Sequence, residues 1–563
     1  MPPPTVPRAA GRVARMRTGG QVLADGLVAH GSELAFCVPG ESYLALLDGL
    51  YEHRDAFRIV NCRHEGAAAN AADAYGKLTG RPGICFVTRG PGATHAAAGI
   101  HTARQDSTPL LMLVGQVARE ERGRESFQEL DYEAVFGPMA KWAFELDDPE
   151  RIPEVLARAY AVATSGRPGP VVLSLPEDVL SAELDVPDAP RYRALRPAPS
   201  AEALEELGAL FEAAERPFVL VGGGPWDAPS AESFTRWVTA CRLPVGATFR
   251  RQDIVDNHSP SYAGDVGLGI NPKLAQRIRD CDLLVAVGTR LGEIETQGYT
   301  LPAPPVAPQP LVHVHPDPAE LGRVYQPALA VLSGVAEFAA AAPLVEGDRW
   351  ADWTAAARAD YEAWIEHPEA PGDGVDLGEV MAHLRDALPD DAVLTNGAGN
   401  FSGWVARFYQ WRRFGTQLGP QSGAMGYGVP AALAAKLVHP EREVVAFAGD
   451  GDFQMCGQEL ATAVQEGLPI LVIVVNNGTY GTIRMHQERR FPARVIATDL
   501  TNPDFAGLAR AYGAHGERIE HAAEFPEALR RARTAGGPAL IELVTDREAL
   551  TPGASLSQIR GGA

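Results

Sequence analysis

Long apolar runs, closely spaced cysteines and an excess of positive charge are all missing from this sequence of 563 residues. No apolar stretch reaches the length of a membrane-spanning helix, and none near the first residue resembles a signal-peptide core. The cysteines lack the spacing of metal ligands, which favours buried thiols in a reducing compartment. They are Cys37, Cys62, Cys85, Cys241, Cys281 and Cys456. We therefore expect a cytoplasmic protein that is not embedded in a membrane.

The deficit of positive charge excludes another class of partner. Lys and Arg number 50 against 71 Asp and Glu, which gives a formal net charge of −21 and a pI near 5.2. Such a chain repels nucleic acid and anionic membranes, so we expect neither as a partner. Residues 1–18 differ, because they contain arginines and prolines but no acidic residue. That composition is typical of a disordered arm, with a transit peptide as the alternative.

Three domains of ordinary size are expected from the length and from two breaks in the pattern. The proline-rich segment 186–200 is typical of an extended linker, and a second break at 367–374 precedes a new helix start. Between the breaks, apolar strand-like runs alternate with helical stretches. This alternation predicts an α/β fold of doubly wound parallel sheets, in domains at 16–185, 200–345 and 370–552.

Two short polar signals follow buried strands in the last third of the chain. Gly449-Asp450-Gly451 comes after an apolar run at 444–448, and Asn476-Asn477 after another at 470–475. Loops at the carboxyl ends of parallel strands face one crevice, so both signals should border the same site. The carboxylate of Asp450, the amide oxygen of Asn477 and the backbone carbonyl of Thr479 are oxygen donors suited to Mg²⁺. The glycines allow backbone N–H groups to approach a diphosphate.

This pattern resembles the thiamine diphosphate motif of the acetohydroxyacid synthase (acetolactate synthase) family. The resemblance extends over nearly the whole chain, through the segments 63–75, 88–94 and 106–109. It implies a pyrimidine-binding, a central Rossmann-like and a diphosphate-binding domain in that order, with the first and third sharing a fold. It also implies a thiamine diphosphate- and Mg²⁺-dependent carboligase that acts on 2-keto acids or related carbonyl compounds.

The same resemblance assigns the cofactor-binding residues. Glu65 corresponds to the carboxylate that binds the N1′ nitrogen of thiamine and so promotes loss of its C2 proton. Met425 corresponds to the apolar residue wedged between the two rings of the cofactor, and Gly423 to a carbonyl that accepts from its 4′-amino group. Phe127 and Gln128 are expected to line the reaction chamber. The remaining cofactor-binding candidates are Gly399, Asn400, Gly449, Asp450, Gly451, Asp452, Asn477 and Gly481.

Departures from the family pattern concentrate near the substrate. Ile294 replaces the arginine that holds the acceptor carboxylate, which predicts poor discrimination for a keto-acid acceptor. His486 stands where a tryptophan favours 2-ketobutyrate, Glu177 replaces a lysine, and Glu41 and Ser42 replace small residues. The alternatives to a carboligase are a 2-keto acid decarboxylase or benzaldehyde lyase-like enzyme, with His486 as a candidate proton donor, and a non-catalytic cofactor-binding protein.

FAD binding and assembly are the remaining expectations. The family carries FAD in its central domain, but here Gly222-Gly223-Gly224 lacks the full dinucleotide fingerprint. The segment 288–295 and His315 also depart from the family pattern, so FAD stays unassigned. Because Glu65 and Asp450 lie in different domains, the resemblance implies a homodimer with active sites at the subunit interface, and a dimer of dimers as an extension.

Overall fold

Three six-stranded sheets of parallel strands, with helices packed on them, make up the computed structural model, which describes residues 16–345, 347–367 and 373–561. Most strands of the three sheets are short, apolar and buried, as in the β-branched run 471–476. The strands at 58–61, 142–145, 329–332 and 515–519 are partly exposed. This architecture confirms the predicted α/β fold class.

The first sheet follows the order β3-β2-β4-β5-β7-β6, and β1 pairs with β8 in a separate antiparallel ribbon. Its strands are β1 (Arg17–Thr18), β2 (Leu34–Cys37), β3 (Arg58–Asn61), β4 (Gly83–Val87), β5 (Leu110–Gln116), β6 (Trp142–Glu145), β7 (Pro170–Pro176) and β8 (Glu183–Leu184). Its helices are α1 (Gly19–Ala29), α2 (Leu44–Tyr51), α3 (Glu65–Thr79), α4 (Gly90–Asp106), α5 (Tyr132–Phe136), α6 (Ile152–Thr164) and α7 (Glu177–Ser181). The side chains of α1 and α6 belong to an apolar cluster of this sheet alone. Those of α3 and α4 belong to a second cluster, which continues into residues 393–540.

The second sheet has the strand order of a Rossmann fold, β11-β10-β9-β12-β13-β14. Its strands are β9 (Pro217–Val221), β10 (Val245–Thr248), β11 (Tyr262–Val266), β12 (Leu283–Val287), β13 (Leu311–His315) and β14 (Leu329–Leu332). Its helices are α8 (Ala201–Ala213), α9 (Ala228–Ala240), α10 (Pro272–Asp280), α11 (Val335–Ala341) and α12 (Ala351–Trp364).

The third sheet follows the order β16-β15-β17-β18-β20-β19, which repeats the connectivity of the first sheet. Its strands are β15 (Val393–Asn396), β16 (Gln417–Leu418), β17 (Val444–Gly449), β18 (Leu471–Asn476), β19 (His515–Ile519) and β20 (Ala539–Val544). Its helices are α13 (Leu377–Ala387), α14 (Ser402–Phe408), α15 (Gly428–Val438), α16 (Asp450–Cys456), α17 (Glu459–Glu466), α18 (Gly481–Arg490), α19 (Phe505–Ala511), α20 (Phe525–Thr534) and α21 (Leu556–Gly561).

Several segments lie at or beyond the predicted boundaries. Trp350 and Tyr361, after position 345, pack in the core of the second sheet. Helix α21, after position 552, packs on α18 through an apolar cluster that includes Met485. The predicted start at 370 lies outside the described residues, so the three domain boundaries stay predictions. The segment 186–200 forms neither helix nor strand.

The expected arm at the start of the chain lies largely outside the described residues, at 1–15. The predicted arm includes Arg17 and Thr18, but these two residues form β1. The buried Arg17 guanidinium donates to Asp188 at 2.7 Å. All six cysteines are buried and unpaired, as their scatter predicted. Among the described helices, none is both long and apolar enough to cross a membrane.

The first and third sheets are joined by a polar network beneath the loops that carry the candidate site. Helix α3 packs against α15, and Lys77 donates to the Gly419 carbonyl and to the Tyr427 hydroxyl, each at 3.0 Å. Tyr427 donates in turn to Asp73 at 2.7 Å, while Lys77 also contacts Asp106. These buried charges are paired, so the network holds the 419–427 loop against the first sheet.

Candidate active site

A cavity of about 240 Å³ lies at the carboxyl edge of the third sheet. Its walls come from the loops after β16, β15, β17 and β18, which are neighbours in that order in the sheet. The structure thus brings together candidates scattered between positions 399 and 481, including all those expected near the metal and the diphosphate. They are Gly399, Asn400, Gly423, Met425, Gly449, Asp450, Gly451, Asp452, Asn477, Thr479 and Gly481.

Asp450 has a fixed orientation at the end of β17. One carboxylate oxygen accepts from the backbone N–H of Gly451 at 2.9 Å, and the other from that of Gly478 at 2.8 Å. The Asn502 amide also donates to the second oxygen, at 2.7 Å. Burial raises the pKa of Asp450, while these donors oppose the shift. A divalent cation would stabilise the charged form further, so the carboxylate fits a metal-binding role.

The loop after β18 offers oxygen atoms and free backbone donors to the same cavity. The Asn477 amide oxygen accepts from the N–H of Thr479 at 3.1 Å, which holds the turn. Helix α18 begins at Gly481, and its N-cap residue Tyr480 makes no side-chain capping bond. The first N–H groups of this ten-residue helix therefore border the cavity without a capping side chain, an arrangement that favours a phosphate.

Two glycines shape the cavity where the cofactor contacts are expected. Gly423 has φ of +68°, and a Cβ there would meet nothing within 4 Å, so its backbone borders open space. A Cβ at Gly451 would come within 2.5 Å of the Tyr480 ring, so only glycine allows this close packing. Met425 is half-buried and lines the cavity beside Gly423.

Asp452 serves as a brace between the loops. Its Oδ1 accepts from the N–H of Gly426 at 2.7 Å and from that of Ala398 at 3.1 Å. Burial raises the pKa of Asp452 to about 7, and its Oδ2 has no hydrogen-bond partner in the described part of the chain. The carboxylate therefore ties the 398–401 loop to the 423–426 loop on either side of the cavity.

Glu65 lies in the first domain, at the first residue of α3. Its side chain is 12 % exposed, and its Oε2 lies 2.9 Å from the Nδ1 of His95 on α4. The buried Glu459 of the third domain accepts from the N–H groups of Arg63 at 2.8 Å and His64 at 3.1 Å, which fixes the start of α3. Glu65 is not among the residues that line the cavity of the same chain.

Comparison with known proteins identifies the family to which these features belong. Models described as the N-terminal TPP binding, central and C-terminal TPP binding domains of thiamine pyrophosphate enzymes match residues 17–135, 204–342 and 397–543. The acetolactate synthase large subunit of Corynebacterium glutamicum is 32% identical, covering 97% of this chain and 90% of that protein. The acetolactate synthase isozyme 2 large subunit of Escherichia coli is also 32% identical, covering 96% of this chain and 99% of that protein.

The chain belongs to the thiamine pyrophosphate enzyme family. The match of both TPP binding domains supports thiamine diphosphate as its cofactor, as the sequence predicted.

The reaction-chamber candidates of this thiamine pyrophosphate enzyme lie apart from the cavity. Phe127 is 74 % exposed, and Gln128 has a left-handed backbone with φ of +65°. The carbonyl of Gln128 accepts from the N–H of Gly90 at 3.0 Å, which places this loop at the start of α4. His486 is exposed on α18 and is absent from the cavity lining. The roles of these three residues stay predictions.

Sequence reasoning missed an ion-pair cluster at the carboxyl edge of the first sheet. Arg89, at the start of α4, is only 10 % exposed and donates to Glu177 at 2.6 Å and to the Phe127 carbonyl at 3.2 Å. Glu41 lies 3.5 Å from the same guanidinium. The two glutamates that depart from the family pattern thus flank one buried cation. No spacing rule connects Glu41, Arg89 and Glu177, since they follow three different strands.

Asn502 is a second residue that sequence reasoning missed. Besides donating to Asp450, its amide group donates to the Asn476 side chain at 2.8 Å, linking the two motifs of the site. It lies in a Thr-Asn-Pro-Asp turn whose sequence indicates only a loop.

The glycine turn at 222–224 does not fit a dinucleotide phosphate. The N–H groups at the start of α9 are capped by Asp227, whose carboxylate accepts from Ser230 at 2.9 Å. Trp226 is buried over the turn and donates to the Gly222 carbonyl at 3.0 Å. An acidic cap at the helix start would repel a phosphate, so no FAD contact is derived from this turn.

Proposed function

We propose that this chain is a thiamine diphosphate- and Mg²⁺-dependent enzyme that forms and cleaves carbon–carbon bonds of 2-keto acids or related carbonyl compounds, in the manner of an acetolactate synthase. The observation that carries the proposal is one cavity that combines a metal-type donor set with a phosphate-type helix start. The oxygens of Asp450, Asn477 and Thr479 and the uncapped first turn of α18 all border it.

In this proposal Asp450, Asn477 and the Thr479 carbonyl hold Mg²⁺, and the backbone of 481–483 holds the diphosphate. When bound, thiamine diphosphate supplies a carbon acid that attacks the substrate carbonyl once deprotonated. Met425 packs against the organic part of the cofactor, and the Gly423 carbonyl orients its amino group. Asp452 keeps the two loops that carry these contacts at a fixed separation.

Glu65 is proposed to act from a partner subunit. The cavity is lined by residues 398–483 alone, so the carboxylate needed at the aminopyrimidine must come from a first domain packed over it. Exposed apolar side chains are available on both surfaces, with Phe127 74 % exposed and Ile483 52 % exposed. A homodimer that covers both cavities would bury these side chains and complete each site, with a tetramer as a dimer of dimers.

The expected acceptor is a neutral carbonyl compound. Ile294 offers no charge to an acceptor carboxylate, and Arg89 is already paired with Glu177. The acidic Glu41 and Glu177 side chains would repel a second keto acid that approached along this edge. The third-domain residues that line the cavity include no histidine, so a proton donor for the decarboxylase and lyase alternatives would have to come from the first domain of the partner subunit.

Titration calorimetry of the apoenzyme with thiamine diphosphate, in the presence of Mg²⁺, tests the cofactor site. Asp450→Ala should lose cofactor affinity by more than about a hundredfold, because the metal link to the diphosphate is gone. The matched control is Asp386→Ala, which removes a 79 % exposed aspartate of the same domain and should bind as the parent does. Equal affinity in Asp450→Ala and the parent would remove the metal assignment, and absence of binding to the parent would remove the proposed function.

A further inference from the structure

His95 is a residue whose contact with Glu65 has no assigned role. It lies on the second turn of α4, and its Nδ1 is 2.9 Å from the Oε2 of Glu65 on α3. With the carboxylate ionised, this contact requires that Nδ1 carries the proton and donates it. The His95 ring is 54 % exposed in the single chain, so it stands at the surface that the proposed partner would cover.

The fold brings His95 to this position through close approach of two helices. A Cβ at Gly66 would lie 3.1 Å from the His95 carbonyl and 3.0 Å from the His64 Nδ1, so the absence of a side chain lets α3 and α4 approach. The His95 ring stacks on that of His64, with centroids 4.8 Å apart and an interplanar angle of 26°. His64 is itself fixed, since its Nδ1 accepts from the N–H of Gly66 at 3.0 Å.

The side chains of His64, Glu65 and His95 lie close together, but their geometry does not suit a metal ion. The His64 Nδ1 is occupied by a backbone donor, and the Nδ1 of His95 is occupied by Glu65. Stacked rings direct their nitrogen lone pairs along similar directions, whereas metal ligands must converge on one point. The geometry favours a stack of His64 on His95, with His95 hydrogen-bonded to Glu65.

The second oxygen of Glu65, Oε1, lies next to Gly92. A Cβ at Gly92 would lie 3.4 Å from the Oε1 of Glu65 and 2.9 Å from the Thr88 side chain. The clash of such a side chain would be with Thr88, whereas its contact with Oε1 would be an ordinary van der Waals one. One oxygen of Glu65 is held by His95, and the other accepts no hydrogen bond from the residues that the structure describes.

We propose that His95 is a positioning residue for Glu65, which holds Oε2 so that Oε1 points at the ring nitrogen of the cofactor. The inference rests on the proposed function, because it assumes that Glu65 meets thiamine. A carboxylate held at one oxygen cannot rotate about its terminal bond without losing a charge-assisted hydrogen bond. His95 thus reduces the reorganisation needed when Glu65 binds its partner nitrogen.

The test is the rate of C2–H exchange of bound thiamine diphosphate, followed by NMR after rapid quench in deuterated buffer. His95→Ala should slow exchange about tenfold, the value of one hydrogen bond to a charged group. His95→Asn should restore most of the rate, because the amide nitrogen can occupy the place of Nδ1. His258→Ala, which removes an exposed histidine of the central domain, is the control and should leave exchange unchanged.

Thermal unfolding and calorimetric cofactor affinity separate positioning from folding. In His95→Ala, the cofactor affinity should stay within about twofold of the parental value and the unfolding midpoint within a few degrees, since the ring is half exposed. In a Glu65→Gln background, His95→Ala should cause little further slowing, because the two residues act as one unit. Parental exchange in His95→Ala, or equal slowing in His95→Asn, would overturn the inference. Failure of the parent to bind the cofactor would instead overturn the proposed function.

Discussion

Glu65 illustrates how a single residue combines a structural and a chemical role. As the first residue of α3 it has a place that a helix dipole favours for any acid. Its proposed chemical role predicts that Glu65→Gln keeps the fold and much of the cofactor affinity. Exchange of the C2 proton should slow by about a hundredfold or more, because a neutral amide supports the required tautomer poorly.

The control for that variant is Glu120→Gln, which changes an exposed acid of the same domain in the same way. It should exchange at the parental rate. If Glu65→Gln also exchanged at that rate, with cofactor bound, activation would belong to another residue.

His315 predicts a pH dependence of stability that is separate from the active site. Burial and the neighbouring His313 lower its pKa to about 4, whereas an unfolded histidine titrates near 6.5. Between these values the unfolded chain binds the extra proton, so stability is lost as the pH falls through this window. His315→Asn keeps an acceptor for the N–H of Asp317 but does not titrate.

We therefore expect the unfolding midpoint of His315→Asn to fall less steeply between pH 7.5 and pH 5 than that of the parent. The fall in the unfolding midpoint over this pH range should be about 2–5 °C smaller in the variant than in the parent. This follows from roughly 1.4 kcal/mol of stability per unit of difference between the folded and unfolded pKa values. His258→Ala should follow the parent. Parallel curves for His315→Asn and the parent would show that His315 does not contribute.

At the residue scale, the candidates that could be predicted are those carried by short motifs at strand ends. Asp450 and Asn477 each follow a buried strand, and parallel strands bring such loops to one edge. Asn502 and Arg89 escaped prediction because their partners are distant in sequence and depend on side-chain packing. Asp452 was expected to contact the cofactor; it lines the cavity and its carboxylate also accepts from two backbone N–H groups, so the cofactor contact stays a prediction.

At the scale of elements, the buried strands were predictable because each is a short, continuous apolar run between helices. The contacts between elements of different domains were not predictable from the sequence, as the start of α3 shows. Glu459 on α17 is fully buried and receives the N–H groups of Arg63 and His64, together with the Thr462 hydroxyl at 2.6 Å. One buried carboxylate thus satisfies donors at the start of a helix nearly 400 residues away.

Glu459→Ala should destabilise the chain by about 1–3 kcal/mol, because it leaves the buried Thr462 hydroxyl and the two N–H donors at the start of α3 without their acceptor. It should also slow C2–H exchange, since the start of α3 carries Glu65. Glu459→Gln is the matched control, because its amide oxygen can still accept both bonds. Equal loss in the two variants would show that charge at position 459 matters rather than its hydrogen bonds.

At the scale of the whole molecule, placing Glu65 and the cavity in different domains makes a sharp prediction about assembly. Co-expression of Glu65→Gln and Asp450→Ala chains should restore activity that neither variant has alone. In a mixed dimer, one site combines the intact Glu65 of one subunit with the intact Asp450 of the other. With random pairing, half of the dimers are mixed, and each mixed dimer has one intact site out of two. We therefore expect about a quarter of the parental activity.

Co-expression of Glu65→Gln with Glu65→Gln chains carrying a different tag provides the control and should restore nothing. Absence of restoration in the mixed sample, with mixed dimers demonstrated by two-step affinity purification, would mean that each site is built within one chain.

The choice of acceptor is also a property of the whole molecule, because it depends on charges contributed by separate domains. In the proposed function, neither Ile294, which stands in place of an arginine, nor Arg89, which is paired with Glu177, offers a bidentate contact to an acceptor carboxylate. Such a contact contributes about 1.5–3 kcal/mol, or roughly ten- to a hundredfold in rate. We expect weak acetolactate formation from pyruvate and faster reaction when a neutral aldehyde is supplied with a 2-keto acid donor.

Mass spectrometry of products from a donor panel, with and without aldehydes, measures this preference. Ile294→Arg should raise acetolactate formation, whereas Ile294→Gln should not. Efficient condensation of two pyruvates by the parent would contradict the expectation, because it would require another group to bind the acceptor carboxylate.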